Sequence, residues 1–433
     1  MSLLDEEKYK LKNCLNSANN FVILTTGRAG TDFLQSCYDN HQQIASTSEK
    51  TIYLPSFIEQ NKSLLPESSA VFSALAVKEL FFSFAPYLNK MEDWRITKKD
   101  NYRKANVKKF LESLSYLLAF EENICSSLSI TRAIILAFSF SIGKEIDKIK
   151  SILIHLHHIN RLSFYSKDLD SEDLIIVCSR NPYDLLASGV FHWRKYWIKA
   201  QIYDYSECLG HYRYVLRRTI NDYLDIKENM SSSKPKIYLS VLEKLSNINY
   251  LNSINKYLSI DLFDEFPSSS VLGILRRGDI LSNDTKKDPK GRYDESLVKR
   301  GSPFKRLGVV DSILLTLICK ERINYYGFGI EIKFLKKLLK INIYSRTVLF
   351  FILLPIPSRI EFLYYRDVIK QYINIITSSK LIKTKKLKQI LYLTFYVSLY
   401  PFEYIYSRIF RIKAFINNIR VPNFLSEIEI LNE

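Results

Sequence analysis

No two of the six cysteines form a Cys-x-x-Cys pair; Cys14, Cys37, Cys125, Cys178, Cys208 and Cys319 lie scattered over 433 residues. That spacing excludes a zinc ribbon and a dense disulfide framework, and free thiols are the expectation. No stretch reaches the roughly 18 apolar residues that a membrane-spanning helix needs. The start, Met1 to Glu7, is acidic and lacks the basic and apolar regions of a secretory signal. A cytoplasmic protein is therefore expected. No Gly-x-x-x-x-Gly-Lys-Ser/Thr string occurs, which speaks against an ATP or GTP enzyme of the Walker type. Internal repeats, low-complexity tracts and nucleic-acid-binding motifs are missing too, so no nucleic-acid partner is expected.

What is present is a chain 47% hydrophobic, enough for a large core. Its net charge of +17 is uneven: from Phe334 onward 16 basic residues face 6 acidic ones. A basic excess favours anionic partners, whether a phosphorylated cofactor or a membrane surface. Short apolar runs at Phe21 to Thr25, Ser151 to Ile159, Leu174 to Cys178 and Lys236 to Val241 read as strands, each followed by a helical pattern. That alternation predicts an α/β fold with a parallel sheet between helices. Residues 1–333 are expected to form the main domain, with a helical insertion over about 57–145, and 334–433 a basic, aromatic-rich helical appendage. The segment Arg276 to Gly308, rich in Arg, Lys, Gly, Asp and Ser, reads as a basic loop.

Two strand-to-helix junctions carry chemistry. At the first, Thr26, Gly27, Arg28, Ala29, Gly30, Thr31 and Asp32 follow a strand. Unpaired backbone N–H groups, two glycines, a guanidinium and a hydroxyl together can hold a phosphate. At the second, Arg180 follows the strand ending at Cys178, and Ser188 lies eight residues further on, two turns into a helix opened by Asn181-Pro182. An arginine fork and a serine hydroxyl suit a phosphate monoester.

Together these junctions resemble the two nucleotide-binding motifs of sulfotransferases that use 3′-phosphoadenosine 5′-phosphosulfate (PAPS). The resemblance implies a P-loop-like fold in which residues 26–32 hold the 5′-phosphosulfate, while Arg180 and Ser188 hold the 3′-phosphate. It implies transfer of a sulfuryl group to a hydroxyl of a carbohydrate or another acceptor, lipid-linked ones included, without an obligatory metal. Asp32 departs from the pattern, because many members carry a second hydroxyl residue there. Val241-Leu-Glu-Lys-Leu245 resembles a further element of the family.

Such a transfer needs a base to take the acceptor's proton. Glu49, 21 residues past Arg28, matches the catalytic glutamate of tyrosylprotein-type members; His158, 22 residues before Arg180, stands near the base of the cytosolic ones. Strand alternation puts His155 and His157 on one face and His158 on the other. No Cys, Asp or Glu accompanies these histidines at ligand spacing, and no metal site is expected.

Lysines at 380, 383, 385, 386 and 388, followed by Tyr392, Phe395, Tyr396, Tyr400 and Phe402, suggest an element resting on an anionic membrane. Two other readings stay open: a different phosphate-handling enzyme on the same frame, and a membrane-associated nucleotide-binding module without catalysis.

Overall fold

The computed structural model describes residues 3–25, 29–47, 51–81, 105–157, 159–190, 235–268, 270–271, 274–275, 303–328, 330, 332–356, 358–377, 383–419 and 429–430. The chain divides into two compact units, one of residues 1–179, 223–295 and 428–433, the other of 180–222 and 296–427.

The first unit is an α/β layer. Helix α1 (Asp5–Ser17) leads into strand β1 (Asn19–Thr25), whose residues are buried from Asn20 on. A seven-residue helix α2 (Thr31–Cys37) follows, then β2 (Ile44–Ala45), β3 (Ser151–His155), β4 (Leu174–Ser179), β5 (Lys236–Val241) and β8 (Glu429–Ile430). These strands form one sheet in the order β2-β3-β1-β4-β5-β8, with every pairing parallel. A separate antiparallel pair joins β6 (Ser270–Val271) to β7 (Ile274–Leu275).

β3 and β4 are buried at every residue, as strands covered on both faces must be, and their sequences are accordingly near-continuous apolar runs. At the start of β1, the backbone and side-chain N–H groups of Asn20 both donate to Asp173 Oδ1 at 2.8 Å, tying the entry of β1 to that of β4. The third strand ends at His155, short of Ile159, because His157 takes a left-handed backbone (φ 59°) and a tight helical turn, Ile159–Phe164, begins.

The described part of 57–145 is helical, with Ser69–Ala76, Val107–Leu117 and Ser127–Ser141 as its main helices. Ser127–Ser141 is buried almost all round and packs on β2 and β3. It is a layer of the core in its own right.

The second unit is helical. The turns after Asn181 contribute Tyr183, Leu186, Ala187 and Val190 to a core shared with Leu314, Leu315, Ile318 and Ile323, and with Phe350 and Phe415 from far downstream. Burying these apolar side chains together draws 180–190 into this unit, so its boundary falls well before the change of texture at 334. Its principal helices are Val309–Ile318, Lys333–Lys340, Ile343–Leu353, Arg359–Thr377 and Lys383–Ile419. Pro303–Leu307 is a helical turn within the segment read as a loop, of which 276–302 lie outside the described residues.

Asp311, on the helix Val309–Ile318, is buried, and burial pushes its carboxyl up to about 6 even though its Oδ2 accepts from Ile360 N at 3.2 Å. Between the ordinary aspartate range near about 4 and about 6, the folded chain holds a proton that the unfolded chain has lost. Stability should therefore fall as pH rises through that window and stay level above it. Melting temperatures across pH 4 to 8 should show this slope flattened in Asp311→Asn; an identical slope in both proteins would remove Asp311 as its source.

Candidate functional site

In an open parallel sheet, ligands bind beyond the carboxyl ends of strands where the strand order reverses. Here the chain leaves β1 toward β2 and β3, and leaves β4 toward β5, so the reversal lies between β1 and β4. At that point Thr25 pairs in register with Cys178, and its hydroxyl donates to the Cys178 carbonyl at 3.3 Å.

The first junction begins here. Thr26, Gly27 and Arg28 lie outside the described residues. Ala29 is fully buried, Gly30 caps α2 with φ 84°, and Thr31 is buried at the first helical position. A side chain on Gly30 would bring its Cβ within 2.3 Å of Leu242 Cδ1 and 3.5 Å of Leu245 Cδ1. The Val241 to Leu245 segment thus closes directly over the junction. Its own position is fixed by Tyr250, whose hydroxyl accepts from Val241 N at 3.1 Å. The Gly30→Ala variant should lose about 1–2 kcal/mol from the left-handed backbone alone. Urea denaturation measures this, and no loss would mean that the turn relaxes freely.

Asp32 stands on α2 with its carboxylate turned to the end of β3: Oδ1 is 3.9 Å from His155 Nε2. His155 is fully buried, and its Nδ1 lies 2.6 Å from Gln35 Oε1. Gln35 in turn donates through Nε2 to the Thr47 carbonyl at 2.8 Å. On the far side, the backbone N–H and the hydroxyl of Thr51 both donate to the His155 carbonyl at 2.9 Å. Glu49 lies outside the described residues, as does His158, but Thr47 and Thr51, two residues to either side of Glu49, are both tied to this cluster.

His157 joins the same cluster, its ring centroid 5.7 Å from that of His155. One ligand atom from each of Asp32, His155 and His157 lies within 4.8 Å of the others. The expectation that no carboxylate accompanies the histidines rested on spacing along the chain. The parallel pairing of β1 with β3 corrects it, delivering Asp32 from far upstream.

The second junction belongs to the second unit. Arg180 follows β4 directly and is buried, as is Ser188. Asn181 caps the helix between them: its side-chain oxygen accepts from Tyr183 N at 3.1 Å and its carbonyl from Leu185 N at 2.9 Å. Asp184 forms an ion pair with Arg306, and the Tyr183 hydroxyl hydrogen-bonds that of Thr316.

One contributor, Gln35, was not read from the sequence. Gln35 sits one turn after Thr31, on the same helix face, a spacing that could have marked it. The element holding Leu242 and Leu245 was marked by its resemblance, but its contact with Gly30 appears only once β5 lies beside β4.

No family model matches the chain, and no curated protein matches it. Among solved structures it is similar to one described as "Sulfotransferase Domain from the Curacin Biosynthetic Pathway", with 13% identity and a TM-score of 0.32 over 76% of this chain and 98% of that one.

Proposed function

We propose that this chain is a PAPS-dependent sulfotransferase acting on a hydroxyl of a carbohydrate or another acceptor. The observation that carries the reading is the Gly30–Thr31 turn at the sheet's reversal point, closed by Leu242 and Leu245. The transfer forms a bond between the acceptor oxygen and sulfur and breaks the bond from sulfur to the phosphate oxygen. Adenosine 3′,5′-bisphosphate leaves with that electron pair. Charge building on its 5′-phosphate is met by Arg28, Thr31 and the turn's N–H groups. Arg180 and Ser188 take the 3′-phosphate. Glu49 removes the acceptor's proton, with His158 as the second candidate.

Binding is tested by thermal shift with adenosine 3′,5′-bisphosphate against adenosine 5′-phosphate. The bisphosphate should stabilise the protein and the monophosphate should not; equal shifts would end the reading. Turnover is tested with labelled PAPS against glycan, lipid and phenol acceptors. Glu49→Gln should cut it by about 100-fold or more while the bisphosphate shift persists, and unchanged turnover would move the base to His158. A selective bisphosphate shift with no transfer to any acceptor would favour the non-catalytic binding module instead.

For the second unit we propose an anionic lipid surface as partner. Its longest helix, Lys383–Ile419, leaves Leu387, Leu391, Phe402, Ile405, Ile409 and Ile416 exposed, at spacings that share one face. Tyr344, Val348, Phe351 and Ile352 make a similar stripe on Ile343–Leu353. Lys333, Lys336, Lys337 and Lys340 are exposed on the helix just before it, the charge that an acidic headgroup layer would meet. Among the described residues, no helix is long and apolar enough to cross a membrane. Sedimentation with vesicles containing phosphatidylserine should retain the chain, and neutral vesicles should retain it about 10-fold less. Leu391→Asp combined with Ile409→Asp should release it; retention unchanged by both would assign the exposed face to something else.

A further inference from the structure

We propose that Asp32, His155 and His157 bind a divalent transition metal, with zinc the best match to the donor set. The tautomer of His155 is the starting point. The Thr47 carbonyl can only accept, so the amide nitrogen of Gln35 faces it and the amide oxygen faces His155. Nδ1 of His155 must then carry the proton, which leaves a lone pair on Nε2. This is how a metal-binding histidine is normally prepared: one nitrogen donates to a neighbouring acceptor while the other is held free of its proton.

That lone pair faces a carboxylate. The separation from His155 Nε2 to Asp32 Oδ1 is 3.9 Å, too long for a hydrogen bond and well suited to two ligands on one ion. Bonds of about 2.0–2.2 Å to nitrogen and oxygen place two such donors up to about 4.2 Å apart. The three donors already lie within 4.8 Å of one another. Closing the remainder needs only side-chain rotation at Asp32 and His157, both partly exposed, against a His155 that is wholly buried and braced by Gln35 and Thr51. His157 holds a left-handed backbone, φ 59°, that histidine adopts infrequently, and this conformation keeps its ring beside that of His155.

Two imidazoles and one carboxylate are borderline ligands of the kind zinc takes when it keeps an open coordination position. Asp32 directly follows Thr31, so the open position would adjoin the turn assigned to the phosphosulfate. This last consequence rests on the sulfotransferase reading, whereas the metal site itself does not.

The test uses the full chain without nucleotide or acceptor. After chelation and desalting, the protein is titrated with Co2+ while visible d–d absorption is followed, and then with Zn2+ in competition. One equivalent of each should bind. Asp32→Asn and His157→Gln should each weaken binding by about 10-fold or more, and Gln35→Leu by about 10–100-fold through loss of the histidine's orientation. Circular dichroism and melting in chelator should match the parent for Asp32→Asn and His157→Gln, the two partly exposed positions. The proposal is overturned if the parent binds no Co2+ or Zn2+, or if these two variants bind both as tightly as the parent does. Because the readout needs neither PAPS nor turnover, its failure is distinct from failure of the proposed reaction.

Discussion

Replacing Arg180 with alanine should erase the preference for adenosine 3′,5′-bisphosphate over adenosine 5′-phosphate. The two nucleotides differ by one phosphate, and Arg180 is the charge assigned to it. Truncating one partner of a buried, hydrogen-bonded charge pair costs about 2–5 kcal/mol. A weakening of about 100-fold for the bisphosphate corresponds to about 2.7 kcal/mol. The monophosphate should bind as it does to the parent. Ser188→Ala should act in the same direction but less strongly, since a neutral hydroxyl contributes about 1 kcal/mol to such a grip. Calorimetric titration of both nucleotides into both variants makes the comparison. Equal losses for the two nucleotides would show that Arg180 serves the structure of its helix and not the recognition of a phosphate.

The second large effect concerns Glu361, a buried anion of the second unit. Burial alone would push its carboxyl up, but Arg411, the Ser358 N–H and Arg408 outweigh burial and hold it below the usual range. Arg411 Nη2 donates to Oε1 at 2.8 Å, Arg408 Nη2 to Oε2 at 3.1 Å, the Ser407 hydroxyl to Oε1 at 2.7 Å and Ser358 N to Oε2 at 3.0 Å. Glu361→Ala leaves two buried guanidinium groups without this counter-charge, a change that costs about 3–5 kcal/mol. For a unit of this size the melting temperature should fall by about 10 °C. Glu361→Gln should lose less, because its amide oxygen can still accept from Ser407. The carboxylate's contribution is complete above the ordinary glutamate range and disappears as pH falls through its lowered value. A loss below about 1 kcal/mol in the alanine variant would mean that the arginines find other anions.

The sheet was legible because its strands are buried on both faces and so write themselves as apolar runs; Lys236–Val241 has the same bounds in sequence and structure. β3 was overextended, since Ile159 continues the apolar pattern while the strand is ended by a backbone angle at His157 that composition does not encode. The first junction was readable through Gly30, whose left-handed turn and contact with Leu242 require a residue without a side chain. Asp32 was the residue most open to misreading. Beside a phosphate loop it looked out of place, and only the pairing of β1 with β3 reveals that it faces His155. The division into units was hidden for a similar reason. Tyr183 and Leu186 lie next to β4 in sequence, but their apolar surface is matched by helices more than a hundred residues later.

Strand β8 carries a consequence for how the molecule comes into being. Tyr238 and Leu239 of β5 pair with Glu429 and Ile430, residues made only after the whole of 296–427. During synthesis the β5 margin therefore waits with its backbone donors and acceptors open while more than a hundred further residues emerge. An open margin of this kind invites pairing with a neighbouring nascent chain. Glu429 and Ile430 thus act as a late clasp on β5, and deleting these two residues should first show itself as aggregation during expression.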